Sequence, residues 1–330
     1  MSILLNPYFS SHPFNLDPPG GSCKVYQSED IIHNQLYRIR ATLWASTRSS
    51  LTINPMQTDR KAQMDKELMA LAIDTTSRSG SVALSQAGRA IALLGADSAE
   101  THSSRLISEI DLLLSKTGKR IEEVDLFAAC IGPGSFTGLR IGLATVKALA
   151  HSLKKAVVGV SSLEAVARAA RASRCTCAMV NALRNEVYAQ LFEVGCDGLP
   201  RPLGAPIVAQ PSRAVESLVE EDSVLFAGDG AIIYSHLIEE VAKGKGRQIK
   251  RLAVTAQSDG DWVIAPAAPF LAGEIAALAE QKFKLGEYSE PADLRALYVR
   301  ASDAEINLER RRLKQPQATS NPQDVPAKQT

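Results

Sequence analysis

Gly132-Pro133-Gly134-Ser135-Phe136-Thr137-Gly138-Leu139-Arg140 is the most backbone-constrained stretch of this chain, and what flanks it sets the fold class. Three glycines and a proline in seven positions make a turn that can visit positive φ and bring main-chain N–H groups close to whatever packs against it. Before it runs Leu126 to Ile131, short and wholly apolar, the pattern of a buried strand; after it comes helical spacing. A rigid glycine loop therefore joins a core strand to a helix start, where oriented N–H groups favour an anion or a tightly docked loop. The loop lacks the Gly-Lys-Ser/Thr ending of a P-loop and the spacing of a dinucleotide fingerprint, so alone it names no ligand.

A second element gives it context. Leu68 to Asp74 is an apolar strand ending in an acid, followed by the hydroxyl-rich turn Thr75-Thr76-Ser77 and a second strand from Ser81. In nucleotide-binding proteins of the actin and sugar-kinase type, such a hairpin lets the acid reach metal-bound water and the turn meet phosphate. The order from Leu68 is strand (68–74), strand (81–85), strand (90–95), helix (103–117), strand (126–131), helix (137–152), strand (157–160) and helix (163–171). Three strands followed by alternating helices and strands is the shape of an RNase H-like unit, a mixed sheet flanked by helices. Ser103 is the expected N-cap of the first helix and Gly118 its stop.

From Cys175 the theme repeats more loosely, with a hairpin around Leu183-Arg184-Asn185, a helix over 211–221, a strand leading into Gly228-Asp229-Gly230, and helices over 231–242 and 267–285. The fold class is thus α/β, two RNase H-like lobes of the actin, sugar-kinase and Hsp70 ATPase type. The expected division is an N-terminal extension (1–66), a first lobe (67–172), a degraded second lobe (173–302) and a disordered tail (303–330) whose Arg310-Arg311-Arg312 reads as a solvated charge run. For Met1 to Lys66 two readings stand: a disordered extension, or a start assigned too early, with Met64 as the true first residue.

Bulk numbers exclude some classes. The 330 residues carry a formal net charge of +1, which gives no general grip on nucleic acid, and 45% are hydrophobic, enough for sizeable cores. No apolar run approaches the roughly 18 residues of a membrane span, and no signal-peptide pattern opens the chain, so a cytoplasmic protein is expected. Five scattered cysteines argue against a disulfide framework; Cys175 and Cys177, two apart in a strand, read as core thiols. No Ser/His/Asp or Cys/His set has supporting context.

Two helices carry more apolar surface than one sheet needs. The first bears Leu106, Ile107, Ile110, Leu113 and Leu114 on a stripe; the second has Leu139, Leu143, Val146 and Ala150 on one face and Ile141, Ala144, Thr145 and Ala148 on another, with Gly138 and Gly142 keeping its backbone thin. A helix apolar on two faces is either fully buried or packed against both its own sheet and another chain.

In combination and in order, Asp74-Thr75-Thr76, Glu100-Thr101-His102-Ser103, the loop with its continuation to Gly142, Gly159-Val160-Ser161-Ser162-Leu163 and a closing Tyr298-Val299-Arg300 resemble the bacterial TsaB (YeaZ) family. The match is dense from about Met69 to Ala170 and thins beyond. The resemblance implies a non-catalytic scaffold subunit that dimerises with a catalytic TsaD-type homologue, joined by a TsaE-type ATPase, for making N6-threonylcarbamoyladenosine on tRNA, with tRNA met through the complex. It implies a partner interface on the two helices, for which Leu106, Ile110, Leu113, Leu139, Leu143, Val146 and Ala150 are the candidates, and nucleotide-facing candidates at Asp74, Thr75, Thr76, Ser77, Gly132, Gly134, Ser135 and Asp229. The catalytic homologue is known for a metal-binding His-x-x-x-His on the first helix; here His102 is followed four residues on by Leu106, so no metal and no catalytic residue is assigned. No cofactor is firmly implied, a weak ATP and magnesium contact being left open. The alternatives are an ATP-dependent transferase or phosphotransferase acting by itself, with Asp74 and Asp229 facing a metal, and a self-pairing homodimer.

Overall fold

In the computed structural model residues 67–97, 101–251 and 261–300 are described; the expectations for 1–66 and 303–330 fall outside them. The first three strands, β1 (Met69–Asp74), β2 (Ser79–Gln86) and β3 (Arg89–Asp97), form an antiparallel meander, and β4 (Leu126–Gly132) and β5 (Ala156–Ser161) extend it in parallel on the other side of β1. The order is β3-β2-β1-β4-β5. β1 is buried along its whole length because it is central and covered on both faces. The connecting helices are α1 (His102–Thr117), α2 (Phe136–Leu153) and α3 (Ser162–Ala169).

The second sheet repeats the plan. A long hairpin, β6 (Ser173–Leu183) and β7 (Glu186–Val194), carries the short edge pieces β8 (Pro200–Pro202) and β9 (Ile207–Ala209) on β7. On the other side of β6 the strands β10 (Val224–Ala227), β12 (Trp262–Ile264) and β11 (Ile249–Arg251) add in parallel. Helices α4 (Pro211–Leu218), α5 (Asp229–Ile233), α6 (Ser235–Gly244) and α7 (Ala272–Lys284) complete the set. The helix expected over 231–242 is two pieces breaking at Tyr234, and the last helix starts at Ala272 rather than Ala267, since Pro269 disfavours helix at the residue before it.

Three apolar clusters define five layers. One lies between the first sheet and α1 with α2, and another between the second sheet and α4, α5 and α6, where Cys175 and Cys177 are buried as expected. The third and largest lies between the two sheets and includes α3 and α7. This middle layer bridges the division expected at residue 172. Although α7 follows the second lobe in sequence, it packs along β1 and β2 of the first sheet, and the chain then returns there, Leu297 N–H donating to Ile131 O at 2.7 Å. Two buried serines fasten α7: Ser81 Oγ accepts from Ala272 N–H at 3.1 Å, and the Ser85 hydroxyl donates to Glu280 Oε1 at 2.5 Å. Glu280 is buried, which raises its carboxyl above the ordinary value of 4.5 against the pull of the Ser85 hydroxyl.

Candidate functional site

The β1–β2 turn and the glycine loop are one structure. β1 ends at Asp74, 1% exposed, whose Oδ1 accepts from Thr76 N–H at 2.9 Å and from the Thr76 hydroxyl at 2.6 Å. Burial raises the Asp74 carboxyl above 3.8, partly offset by those two bonds, and its Oδ2 finds no donor among the described residues. The Cys130 thiol reaches the Thr76 hydroxyl from β4 at 3.7 Å, and burial, with the Asp74 charge beside it, holds that thiol well above its usual range.

The loop closes directly onto this turn. Ser135 N–H donates to Thr76 O at 2.8 Å and the Thr75 hydroxyl donates to Gly138 O at 2.7 Å. Ser135 Oγ caps α2 by accepting from Gly138 N–H at 3.2 Å, and the Ser162 hydroxyl donates to Pro133 O at 2.6 Å. Gly132 sits at φ +101 before a cis peptide to Pro133. The glycines at 134, 138 and 142 share a purpose: a Cβ on them would come to 2.6 Å from Thr76 O, 1.8 Å from Thr75 O and 2.4 Å from Thr75 Oγ1. Only a residue without a side chain lets helix and turn meet backbone to backbone.

Of the residues expected to face a nucleotide, Asp74, Thr75, Thr76, Gly132, Gly134 and Ser135 are thus brought together, the first four buried and Ser77 at the half-buried edge. Asp229 is elsewhere, on the second lobe, where its Oδ1 accepts from Asn181 N–H at 3.0 Å and Gly230 N–H at 2.8 Å. The preceding Gly228, at φ +99, likewise rides on a carbonyl, that of Met179, to which a Cβ would come within 2.2 Å. A bound phosphate needs free N–H groups and a bound cation needs free carboxylate oxygens. Ser135 N–H and Gly138 N–H are already donating to the chain itself, while Asp74 is enclosed with its Oδ2 left without a donor among the described residues.

His102 is equally committed. Its ring lies over Gly80, where a Cβ would come within 2.4 Å of it. Arg105 Nη2 donates to Nδ1 at 3.2 Å, which leaves the proton on Nε2 to be donated to Ser77 O at 2.7 Å. Arg105 itself, buried in α1, also donates to Ala96 O and pairs with Glu109 at 3.3 Å. The expected Ser103 cap is not used; Thr101 precedes the helix without a side-chain cap. Leu106, where a second histidine would have to stand, is in the core. Among the described residues no three His, Cys, Asp or Glu side chains gather as a metal would require, and no helix is long and apolar enough to cross a membrane.

The two helices turn their greasier faces inward. Leu106, Ile110, Leu113, Leu139, Leu143, Val146 and Ala150, the candidates for a partner interface, are all buried, six of them in the cluster between helices and sheet. In the single chain these seven side chains therefore belong to its own packing, since the largest aliphatics go where they remove most area from water. Gly138 and Gly142 also face inward, onto Thr75. Left outward are Ile107, 61% exposed, Ala144 and Ala148, with Ile141 and Thr145 half-buried beside them. Ile107 shares the apolar stripe of α1 in sequence yet lies outside the core, because i and i+1 positions straddle the stripe edge. At the start of α2, Phe136 stacks on Tyr298 at 5.3 Å and 12°, and Arg300 pairs with Glu186 at 2.7 Å, so the closing segment touches both lobes.

Comparison with known proteins fits this geometry. The family model for TsaD, tRNA N6-adenosine threonylcarbamoyltransferase, matches residues 96–307. A protein of Haemophilus influenzae named tRNA threonylcarbamoyladenosine biosynthesis protein TsaB is 31% identical over 189 residues, 54% of this chain and 79% of that one. The chain belongs to the TsaB family. The TsaB of Bacillus subtilis is 31% identical over 53% of this chain and 77% of its own length. Among solved structures, YeaZ from Pseudomonas aeruginosa superposes with a TM-score of 0.57 at 28% identity, over 70% of this chain and 99% of that one. The two-lobed fold expected from the sequence is therefore that of TsaB and YeaZ proteins.

Proposed function

We propose that this chain is the non-catalytic scaffold subunit that pairs with a TsaD-type catalytic homologue, together with a TsaE-type ATPase, so that a threonylcarbamoyl group is transferred to adenosine in tRNA. Membership of the TsaB family supports a role in tRNA threonylcarbamoyladenosine biosynthesis. The observation that carries the scaffold reading is that Asp74, Thr75, Thr76, Ser135 and Gly138 bond one another, and His102 bonds Ser77 and Arg105, so the polar groups of the first lobe hold the lobe together. Chemistry then belongs to the partner, and this subunit acts by binding one state of it better than another. The partner face is the outer side of α1 and α2, with Ile107, Ile141, Ala144 and Ala148 at its centre; alanines let a partner helix approach closely. tRNA is met through the complex in the cytoplasm, consistent with a net charge of +1.

Reconstitution tests this. With tRNA, threonine, bicarbonate, ATP and the enzyme that makes the threonylcarbamoyl donor, modified adenosine should form only when this chain, the TsaD-type subunit and the TsaE-type subunit are all present. Modification by this chain without the TsaD-type subunit refutes the scaffold reading. Sedimentation of the isolated chain as a dimer that dissociates when the partner is added would show a second copy competing for the same face.

A further inference from the structure

We propose that Thr75 is a positioning residue for partner binding: through Gly138 and Gly142 it sets where α2 stands on its sheet, and so where the outer face of that helix is presented. The inference rests on the reading that this face meets the partner. A helix on a sheet ordinarily rides on side chains that can change rotamer, but the first two turns of α2 have none on the side that meets the β1–β2 turn. Gly134, Gly138 and Gly142 fall at intervals of four, one line along loop and helix, and each is against Thr75 or Thr76 at a distance that would not admit a methyl group. Thr75 is 3% exposed; its hydroxyl donates to Gly138 O at 2.7 Å and lies over Gly142, and Ser135 N–H closes the other side on Thr76 O. Behind the turn, Asp74 holds Thr76 twice and His102 holds Ser77 O, so the turn cannot shift to follow the helix. Ile141, Ala144 and Thr145 lie on the same turns of α2 as these contacts. Where the face is built on Ala144 and Ala148, no long side chain is there to absorb a displacement of the helix, so the contact inside the lobe governs the fit outside it.

The test measures the affinity of the full chain for the TsaD-type subunit of the same organism, well below the melting temperature. Thr75→Val removes the donor and adds a methyl facing Gly142, and is expected to weaken binding about tenfold. Thr75→Ser keeps the hydroxyl and should bind as the unaltered chain does. Should the valine variant fail to fold, Thr75→Ala in its place gives the same contrast without added bulk. Valine or alanine variants that bind with unchanged affinity while melting at a lower temperature would reduce Thr75 to a stability residue and overturn the proposal. Ala144→Glu, which touches neither turn nor glycine, separates the two layers of inference: if it weakens binding and the Thr75 variants do not, only the positioning role falls, whereas if neither weakens binding, the partner face itself has been misplaced.

Discussion

Ala144 and Leu143 are neighbours on α2, about 100° apart around its axis, one exposed and the other 8% exposed within the core. Replacing each by glutamate therefore gives a paired experiment. For Ala144→Glu the isolated chain changes only by the small difference in helix propensity between two good helix formers, a few tenths of a kcal/mol. In the complex the new carboxylate would lie against an apolar helix without a counter-ion, at a cost of about 3–5 kcal/mol. That is a loss of roughly a hundredfold to several thousandfold in affinity. For Leu143→Glu the charge enters the layer between α2 and the sheet, beside Val146 and Leu106; the lost packing alone costs about 2–5 kcal/mol and the buried charge adds to it. The total rivals the entire stability of a typical domain, about 5–15 kcal/mol. Circular dichroism melts should show Ala144→Glu unfolding like the unaltered chain and Leu143→Glu lacking a cooperative transition, while size exclusion with the TsaD-type subunit shows neither variant co-eluting. An Ala144→Glu chain that co-elutes with undiminished affinity, or a Leu143→Glu chain that melts normally, would refute the assignment of faces.

Glu280→Gln should raise thermal stability at pH 8 and lose that advantage at pH 4. The folded carboxyl titrates above its ordinary 4.5, so its contribution is present in full below that value and lost as pH rises through the folded value; an equal gap between the two proteins at both pH values would contradict this. Gly138→Ala brings a methyl to within 1.8 Å of a backbone oxygen that cannot step aside, and should destabilise by more than about 3 kcal/mol in denaturant titrations; a loss below about 1 kcal/mol would mean the turn yields.

Much of this was legible in the sequence. An apolar run as short as Leu126 to Ile131, bounded by a glycine loop, reads as a buried strand, and glycine at 118 marks a helix end by its own chemistry, so the order of elements in the first lobe followed. What could not be read was direction. Periodicity tells which residues of α2 share a face but not which of two apolar faces meets the sheet. A signal was available: Gly138 and Gly142 lie on the Leu139, Leu143 and Val146 side, and a side bare of Cβ atoms beside a hydroxyl-rich turn is the side that docks. The polar seam under α7 also left traces, in Glu280 amid Ala276, Leu278 and Ala279 and in Ser81 and Ser85 four apart near the bulge of β2. Sequence proximity groups α7 with the strands before it, whereas its apolar face packs in the layer between the sheets, along β1 and β2 of the first.

That misplaced helix bears on function. In a two-lobed enzyme that closes over its ligand, the lobes must slide or hinge across the layer between them. Here that layer is bolted. α7 is joined to β2 by the Ser81 and Ser85 bonds and to α3 by Lys282 with Glu164 at 2.9 Å and Glu274 with Arg168 at 3.0 Å, while Arg168 also donates to Gly198 O beyond β7. Sliding α7 by even part of a residue would strip the two buried serine bonds, leaving a carboxylate and a backbone N–H unsatisfied at about 1–3 kcal/mol each. From Leu68 onward the described residues accordingly form a single compact unit. On the function proposed above, a chain whose middle layer is joined by these bonds, and whose β1–β2 turn is packed against its own glycine loop, is suited to present one helix face at a fixed angle to its partner.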